Sequence, residues 1–240
     1  MKKINYTRNK YDEIELSSMN PKSRKRVENL VSLVAKNINP DDYGSWTFGA
    51  NFNYSGSGVG TALNWSLYAY GKDYYHKRFL CVIQVRQFRR IKRSYYPNIL
   101  KNYYLLGRNE DDTVFAHPIS SQVVRTAIKN NKDVIHAVQS YIFQFDYKKL
   151  IRQGNIALIP KEKPKGNLLP LKEIIIDQSH KVIGTDIYKY QNKTDDTYYV
   201  INPIVQHLPM IRDTIEVHGC YRINIGLEAA SWMFLSPYDD

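Results

Sequence analysis

Apolar residues first recur at helical spacing near the start of the chain. Val27, Leu30, Val31, Val34, Ala35 and Ile38 share one face, and Lys22, Arg24, Lys25 and Lys36 lie opposite. Asn20-Pro21 supplies a cap and a proline at the first helical position, and Asn39-Pro40 closes the segment. An amphipathic helix is predicted between them. The period then changes. In 62–71, Trp65, Leu67 and Ala69 face one way while Ser66, Tyr68 and Tyr70 face the other, a strand pattern. RFLCVIQV (78–85) is apolar on both faces and predicts a central strand, whose exit into solvent would begin the segment after it.

Residues 101–118 read as a hairpin with its turn at Asn109–Asp112. Ser120 or Ser121 caps a second helical region that runs to about Phe143 and breaks at Asn130-Asn131. Its apolar positions are Val124, Ala127, Ile128, Ile135, Val138 and Ile142. After Arg152 the pattern becomes short strands between turn residues: NIALIP, EIIID, KVIGTDIYKY, TYYVINPI, TIEV and YRINI. The expected fold class is α+β: a mixed N-terminal sheet with two helical regions, then a C-terminal antiparallel β meander closing as a sandwich or small barrel. The expected domains are a basic α+β domain at 1–150 and a β-rich module at 151–240 packed against it. The boundary near 147–152 carries no Gly/Ser or Pro linker.

Composition narrows the class. With 43% hydrophobic and 24% charged residues in 240, the chain can bury a core and does not read as disordered. No apolar run approaches ~18 residues, so no membrane contact is expected. The opening MKKINYTRNKYDEIEL has early lysines but no apolar stretch behind them, and does not read as a signal peptide. Cys81 and Cys220 both read as small buried hydrophobes, without a CxxC, which points to a reducing, cytoplasmic setting.

Charge changes the picture most. The net charge is +11, and residues 72–101 hold nine cations against the single acid Asp73, which supplies +8 of it. Within that segment RQFRRIKRSYY (86–96) interleaves cations with rings. Cations displace condensed counterions from phosphates, and exposed rings stack bases. The leading expectation is therefore a nucleic-acid-binding protein, with RNA or a single strand favoured because tyrosine-rich sheets suit unstacked bases. The expected contacts are Arg86, Arg89, Arg90, Lys92, Arg93 and Lys101 for phosphates, with Tyr95 and Tyr96 as stacking platforms. A solvated charged face is the plainer alternative, and a protein–protein assembly factor docking an acidic partner through the same strip is another.

Other constellations are weaker. GSGVG (56–60) lacks the third glycine of a dinucleotide fingerprint and reads as a loop. His117 ends a strand beside the acids of the 109–112 turn and is a candidate catalytic residue. His180, His207 and His218 lie in the β-rich half, and with a carboxylate they could hold zinc or another divalent metal. No two share HxH or HxxxH spacing, so the commoner reading is isolated polar histidines, and no cofactor is expected. A metal-dependent enzyme or a small-ligand-binding protein using this histidine site is the alternative function. No nucleophile elbow or activated cysteine is present, so no catalytic motif supports an enzyme.

RQGNIALIP (152–160), SHKV (179–182), the His207 segment and HGCYRINI (218–225) together resemble a widespread group of small bacterial proteins of unknown function. Their pattern runs from a QGD strand through GHxH and HxxH to a Gly-aromatic-Arg-Val strand. Asn155 stands where that pattern has Asp, only His180 remains of the GHxH pair, and Ile211 or Arg212 stands near the second His of HxxH. The resemblance covers about a third of the chain and implies a β-rich C-terminal module without implying an activity.

Overall fold

The computed structural model describes residues 6–38, 47–48, 60–90, 98–109, 112–191, 196–208 and 213–227. The first helix, α1 (Pro21–Ile38), begins where the sequence places it. The Asn20 side chain accepts from the Lys22 amide at 2.9 Å, satisfying one of the donors that a helix start leaves open. Val27, Leu30, Val31, Val34 and Ala35 are buried on one face of a five-stranded sheet. Its order is β1 (Thr47–Phe48), β2 (Gly60–Lys72), β3 (Phe79–Arg90), β4 (Asn98–Arg108) and β5 (Val114–Ile119). β1 runs parallel to β2 and the other neighbours are antiparallel. β3 is the middle strand, and Leu80 to Ile83 are fully buried, as an apolar run without alternation predicts.

The alternation expected in β2 holds only as far as Leu67. A β-bulge between Leu67 and Ala69 adds a residue against β3. Trp65 and Leu67 face α1, but Tyr68 and Ala69 both turn to the other face. One inserted residue reverses the sidedness of all that follows it.

That second face packs against α2 (Ser121–Lys129) and α3 (Val134–Ile142). Ser120 and Asp133 cap the two helices through the amides of Gln122 (3.3 Å) and His136 (3.1 Å). Between them Asn131 takes a left-handed φ of 52°, which breaks the helix where the Asn-Asn pair predicts. Ala157 and Ile159 belong to the same core as Val82, Leu105 and Val138, so the C-terminal strands share a core with the N-terminal sheet.

The C-terminal strands form two sheets. One has six strands in the order β6 (Ile151–Gln153), β7 (Ile156–Pro160), β15 (Cys220–Ile225), β12 (Asp196–Ile201), β11 (Asp186–Gln191) and β8 (Leu168–Leu171). The other has β14 (Ile215–Glu216), β13 (Ile204–His207), β10 (His180–Ile183) and β9 (Ile174–Ile176). Leu158, Val200 and Ile223 of the first sheet meet Ile176, Val182 and Val205 of the second in one core. The meander is thus a sandwich. β8 has no counterpart in the sequence reading. Its Pro170 lies opposite Tyr188 on an edge strand, a place where a sheet tolerates proline. Cys81 is buried as expected, while Cys220 is only partly so. The GSGVG loop up to Val59 and the Asn39-Pro40 stop lie outside the described residues.

Candidate functional site

The basic strip does not begin at a strand exit. β3 continues to Arg90, with Arg89 opposite Asn98 and Arg90 opposite Gly60. Lys92, Arg93, Tyr95 and Tyr96 lie outside the described residues, as do the side chains of Arg89 and Arg90. Lys101 is exposed on β4, opposite Arg86.

Arg86 itself is buried. Its guanidinium donates to Glu13 Oε1 at 2.7 Å, to Asn64 Oδ1 at 3.0 Å and to Ser66 Oγ. The segment before α1 carries Glu13 to it, because the Ile14 amide bonds the Leu67 carbonyl at the edge of β2. Arg86 therefore fixes the fold at this end of the sheet and presents no free fork to a phosphate.

A different set of cations meets at the other end of β3, seven residues from Arg86, or about 23 Å at ~3.3 Å per residue. Arg26 from α1, Lys72, Lys77 and Arg78 from the β2–β3 turn, and Arg108 from β4 line a concavity of about 330 Å³ with Asn29, Leu30 and Phe79. Among the described residues no carboxylate lines it. The turn's own acid, Asp73, is buried and accepts from the amides of Lys77 (3.1 Å) and Arg78 (2.9 Å). Asp112, on the next turn, holds Arg78 at 2.9 Å and accepts from Arg108 through its carbonyl at 2.9 Å. Tyr74 and Tyr75 at the tip are 41% and 37% exposed, and the Lys77 ammonium lies 4.6 Å from the Tyr74 ring centroid. Burial pushes the Tyr221 hydroxyl up, and Tyr75 and Tyr74 add to the shift.

The histidines are divided. His117, His180 and His207 line one cleft of about 520 Å³ between β5, α3 and the sandwich, and His218 is exposed elsewhere. His180 and His207 are cross-strand partners with ring centroids 4.9 Å apart. His180 Nδ1 is 2.8 Å from Ser179 Oγ. His117 Nδ1 faces the Pro118 carbonyl and Nε2 the Leu227 carbonyl, each at 2.8 Å. Both its nitrogens lie against backbone carbonyls, so His117 ties β5 to the chain after β15. Asp177, one of the acids near the histidines in sequence, holds Asn155 Nδ2 at 2.7 Å. Among the described residues no group of three His, Cys, Asp or Glu converges to hold a metal.

Two features escaped the sequence. The concavity draws on positions 26, 72–78 and 108, which no local window joins. The cleft gathers Arg152, Gly154, Asn155, Ser179, His180 and His207, residues from the segments that carry the resemblance to the bacterial group. No family model matches the chain, no curated protein matches it, and no solved structure matches it. No helix among the described residues is long and apolar enough to cross a membrane.

Proposed function

We propose that this protein binds nucleic acid, single strands and RNA in preference to duplex, at the α1 end of its N-terminal sheet. The observation that carries the reading is the concavity where Arg26, Lys72, Lys77, Arg78 and Arg108 meet, with no carboxylate among the described lining residues. Five cations can displace the counterions of several successive phosphates. The exposed rings of Tyr74 and Tyr75 stand beside them as stacking platforms, each worth ~1–3 kcal/mol when a base lies on it. Three arginines in the set favour phosphate, because a planar fork matches its oxygens. Lys101, exposed on β4, extends the charge toward the far end of β3. The thiols Cys81 and Cys220 are unpaired, which suits a reducing, cytoplasmic setting.

The test is fluorescence anisotropy with a labelled mixed-sequence 15-mer RNA, its DNA counterpart and a duplex, at low salt. Wild type is expected to bind the single strands, and Lys72→Gln/Lys77→Gln/Arg108→Gln to bind them at least about tenfold more weakly. Absence of binding at low salt sinks the reading. So does an acidic protein partner that is retained after nuclease treatment and lost in the triple variant, which would favour an assembly role.

A further inference from the structure

We propose that a pocket at the far end of β3 from the five cations is a second binding site, and that it takes a free nucleotide held by its base. The pocket encloses about 400 Å³, within the range of sites that hold a small molecule. Tyr68 and Tyr103 of its lining belong to the core on the sheet face that packs against α2 and α3, and α2 adds Arg125 and Ile128. The five-cation concavity is lined from α1, on the other face. The two sites are therefore separate.

The pocket has a polar floor where a sheet core is ordinarily apolar. Gln84 lines it at 3% exposure, on the central strand two residues after Val82, between Ser66 on β2 and Tyr103 on β4. Burying a polar side chain costs free energy unless a hydrogen bond meets it. The polar groups around Gln84 meet one another. Arg86 donates to Glu13, Asn64 and Ser66, and Glu13 Oε2 accepts from Asn9 Nδ2 at 2.9 Å. Gln84 stands outside that network. Its amide sets a carbonyl acceptor beside an N–H donor, and nucleobase edges carry the complementary pair. Tyr68 and Tyr103, hydrogen-bonded to each other with ring centroids 5.1 Å apart, complete the floor.

The mouth supplies the rest of a nucleotide's contacts. Ile99 is 46% and Tyr11 56% exposed, and both line the pocket, so a flat ring there covers apolar surface that water now meets. Lys101 and Arg125 are exposed cations suited to the phosphate, and the Asp12 carboxylate suits a ribose hydroxyl. The wall that carries Tyr11 and Asp12 is held in place by the fold. Asn9 Oδ1 accepts from the amides of Tyr11 at 2.8 Å and Glu13 at 3.1 Å, and Arg8 Nη2 donates to the Tyr68 carbonyl at 2.9 Å. A pre-formed site does not have to be ordered by its ligand.

The monophosphates of adenosine, guanosine, cytidine and uridine serve as probes in calorimetry on the full chain, with ribose 5-phosphate as the control that lacks a base. At least one nucleotide is expected to bind at one site per chain, about tenfold or more tighter than ribose 5-phosphate. Gln84→Met keeps the size of the side chain and loses both amide groups, and is expected to weaken that nucleotide at least about tenfold. Lys101→Gln/Arg125→Gln, at two exposed positions, is expected to weaken it about fivefold at low salt. Far-UV circular dichroism checks the fold, and the second variant decides if Gln84→Met does not fold. The proposal is overturned if no nucleotide binds more tightly than ribose 5-phosphate, or if affinity is unchanged in the deciding variant. Loss of binding in Lys72→Gln/Lys77→Gln/Arg108→Gln instead would place the nucleotide in the concavity and also overturn it. If free nucleotides fail to bind while Gln84→Met weakens the 15-mer RNA, the pocket takes a base of a bound strand, and the free-nucleotide site is refuted.

Discussion

Arg86→Met separates a structural arginine from a nucleic-acid contact. The Arg86 and Glu13 side chains are only 10% and 5% exposed, and the pair is 2.7 Å apart. Removing the guanidinium strands the Glu13 carboxylate in the protein interior and takes a donor from Asn64 Oδ1 and another from Ser66 Oγ. Breaking a buried pair by removing one partner costs about 3–5 kcal/mol, most of it the penalty of the charge left behind. For a chain of this size that corresponds to a fall in melting temperature of about 10 °C. Glu13→Met/Arg86→Met removes both charges and should recover most of the loss, to within about 1.5 kcal/mol of wild type, since apolar replacements of buried pairs are often neutral. Urea unfolding of wild type, both single variants and the double variant measures this directly. Folded Arg86→Met should bind single-stranded RNA as wild type does. A loss below about 1 kcal/mol in the single variant, or a double variant no more stable than Arg86→Met, refutes the buried-pair account.

Two further outcomes follow from burial. Desolvation pushes the hydroxyls of Tyr68, Tyr104 and Tyr147 up, in Tyr68 with a further contribution from its hydrogen bond to Tyr103. A raised hydroxyl favours the neutral form in the fold, so this stabilisation is whole below the unfolded value of ~10 and is lost as pH rises above it. Absorbance at 295 nm should therefore show these rings ionising only together with loss of the near-UV circular dichroism; ionisation of every tyrosine near pH 10 in an intact fold contradicts it. Gly184→Ala should destabilise by ~1–3 kcal/mol, because its Cβ would lie 2.5 Å from Val200 Cγ1 and 2.6 Å from the Ile201 carbonyl. Gly71→Ala, whose Cβ would meet only Ile135 Cγ1 at an ordinary 3.5 Å, should stay within about 0.5 kcal/mol, and equal losses for the two in thermal unfolding would contradict the packing.

What could be read from the sequence was local. α1 carries its own cap and its own period, and the break at Asn130-Asn131 needs only an αL-tolerant pair between two caps. β3 announces its central place by lacking alternation. The features that failed to show depend on partners far along the chain. The β2 bulge is defined by the register of β3, so a count along β2 alone places Ala69 on the wrong face. β8 is short and interrupted by Pro170, and only pairing with β11 makes it a strand. Arg86 looks like its neighbours in a basic run, yet its acid lies 73 residues upstream.

The candidate sites follow the same rule. The excess charge of 72–101 is plain in the sequence, but β3 divides it into two groups at opposite ends of the sheet. Only the fold adds Arg26 and Arg108 to Lys72, Lys77 and Arg78. Likewise His117, His180 and His207 share no ligand spacing and still line one cleft, each brought to it by a different strand, β5, β10 and β13. Their convergence is a property of topology.

The central claim is that phosphates enter the five-cation concavity, and the salt dependence of single-strand binding tests it most directly. Single strands lose affinity with a slope of about −0.7 per phosphate neutralised in log K against log salt. Five contacts give a slope near −3.5, or about a hundredfold loss of affinity between 50 and 200 mM salt. Lys72→Gln/Lys77→Gln/Arg108→Gln should move the slope to about −1.4, the value for two remaining contacts. A wild-type slope near zero, or the same steep slope in both proteins, would contradict the account.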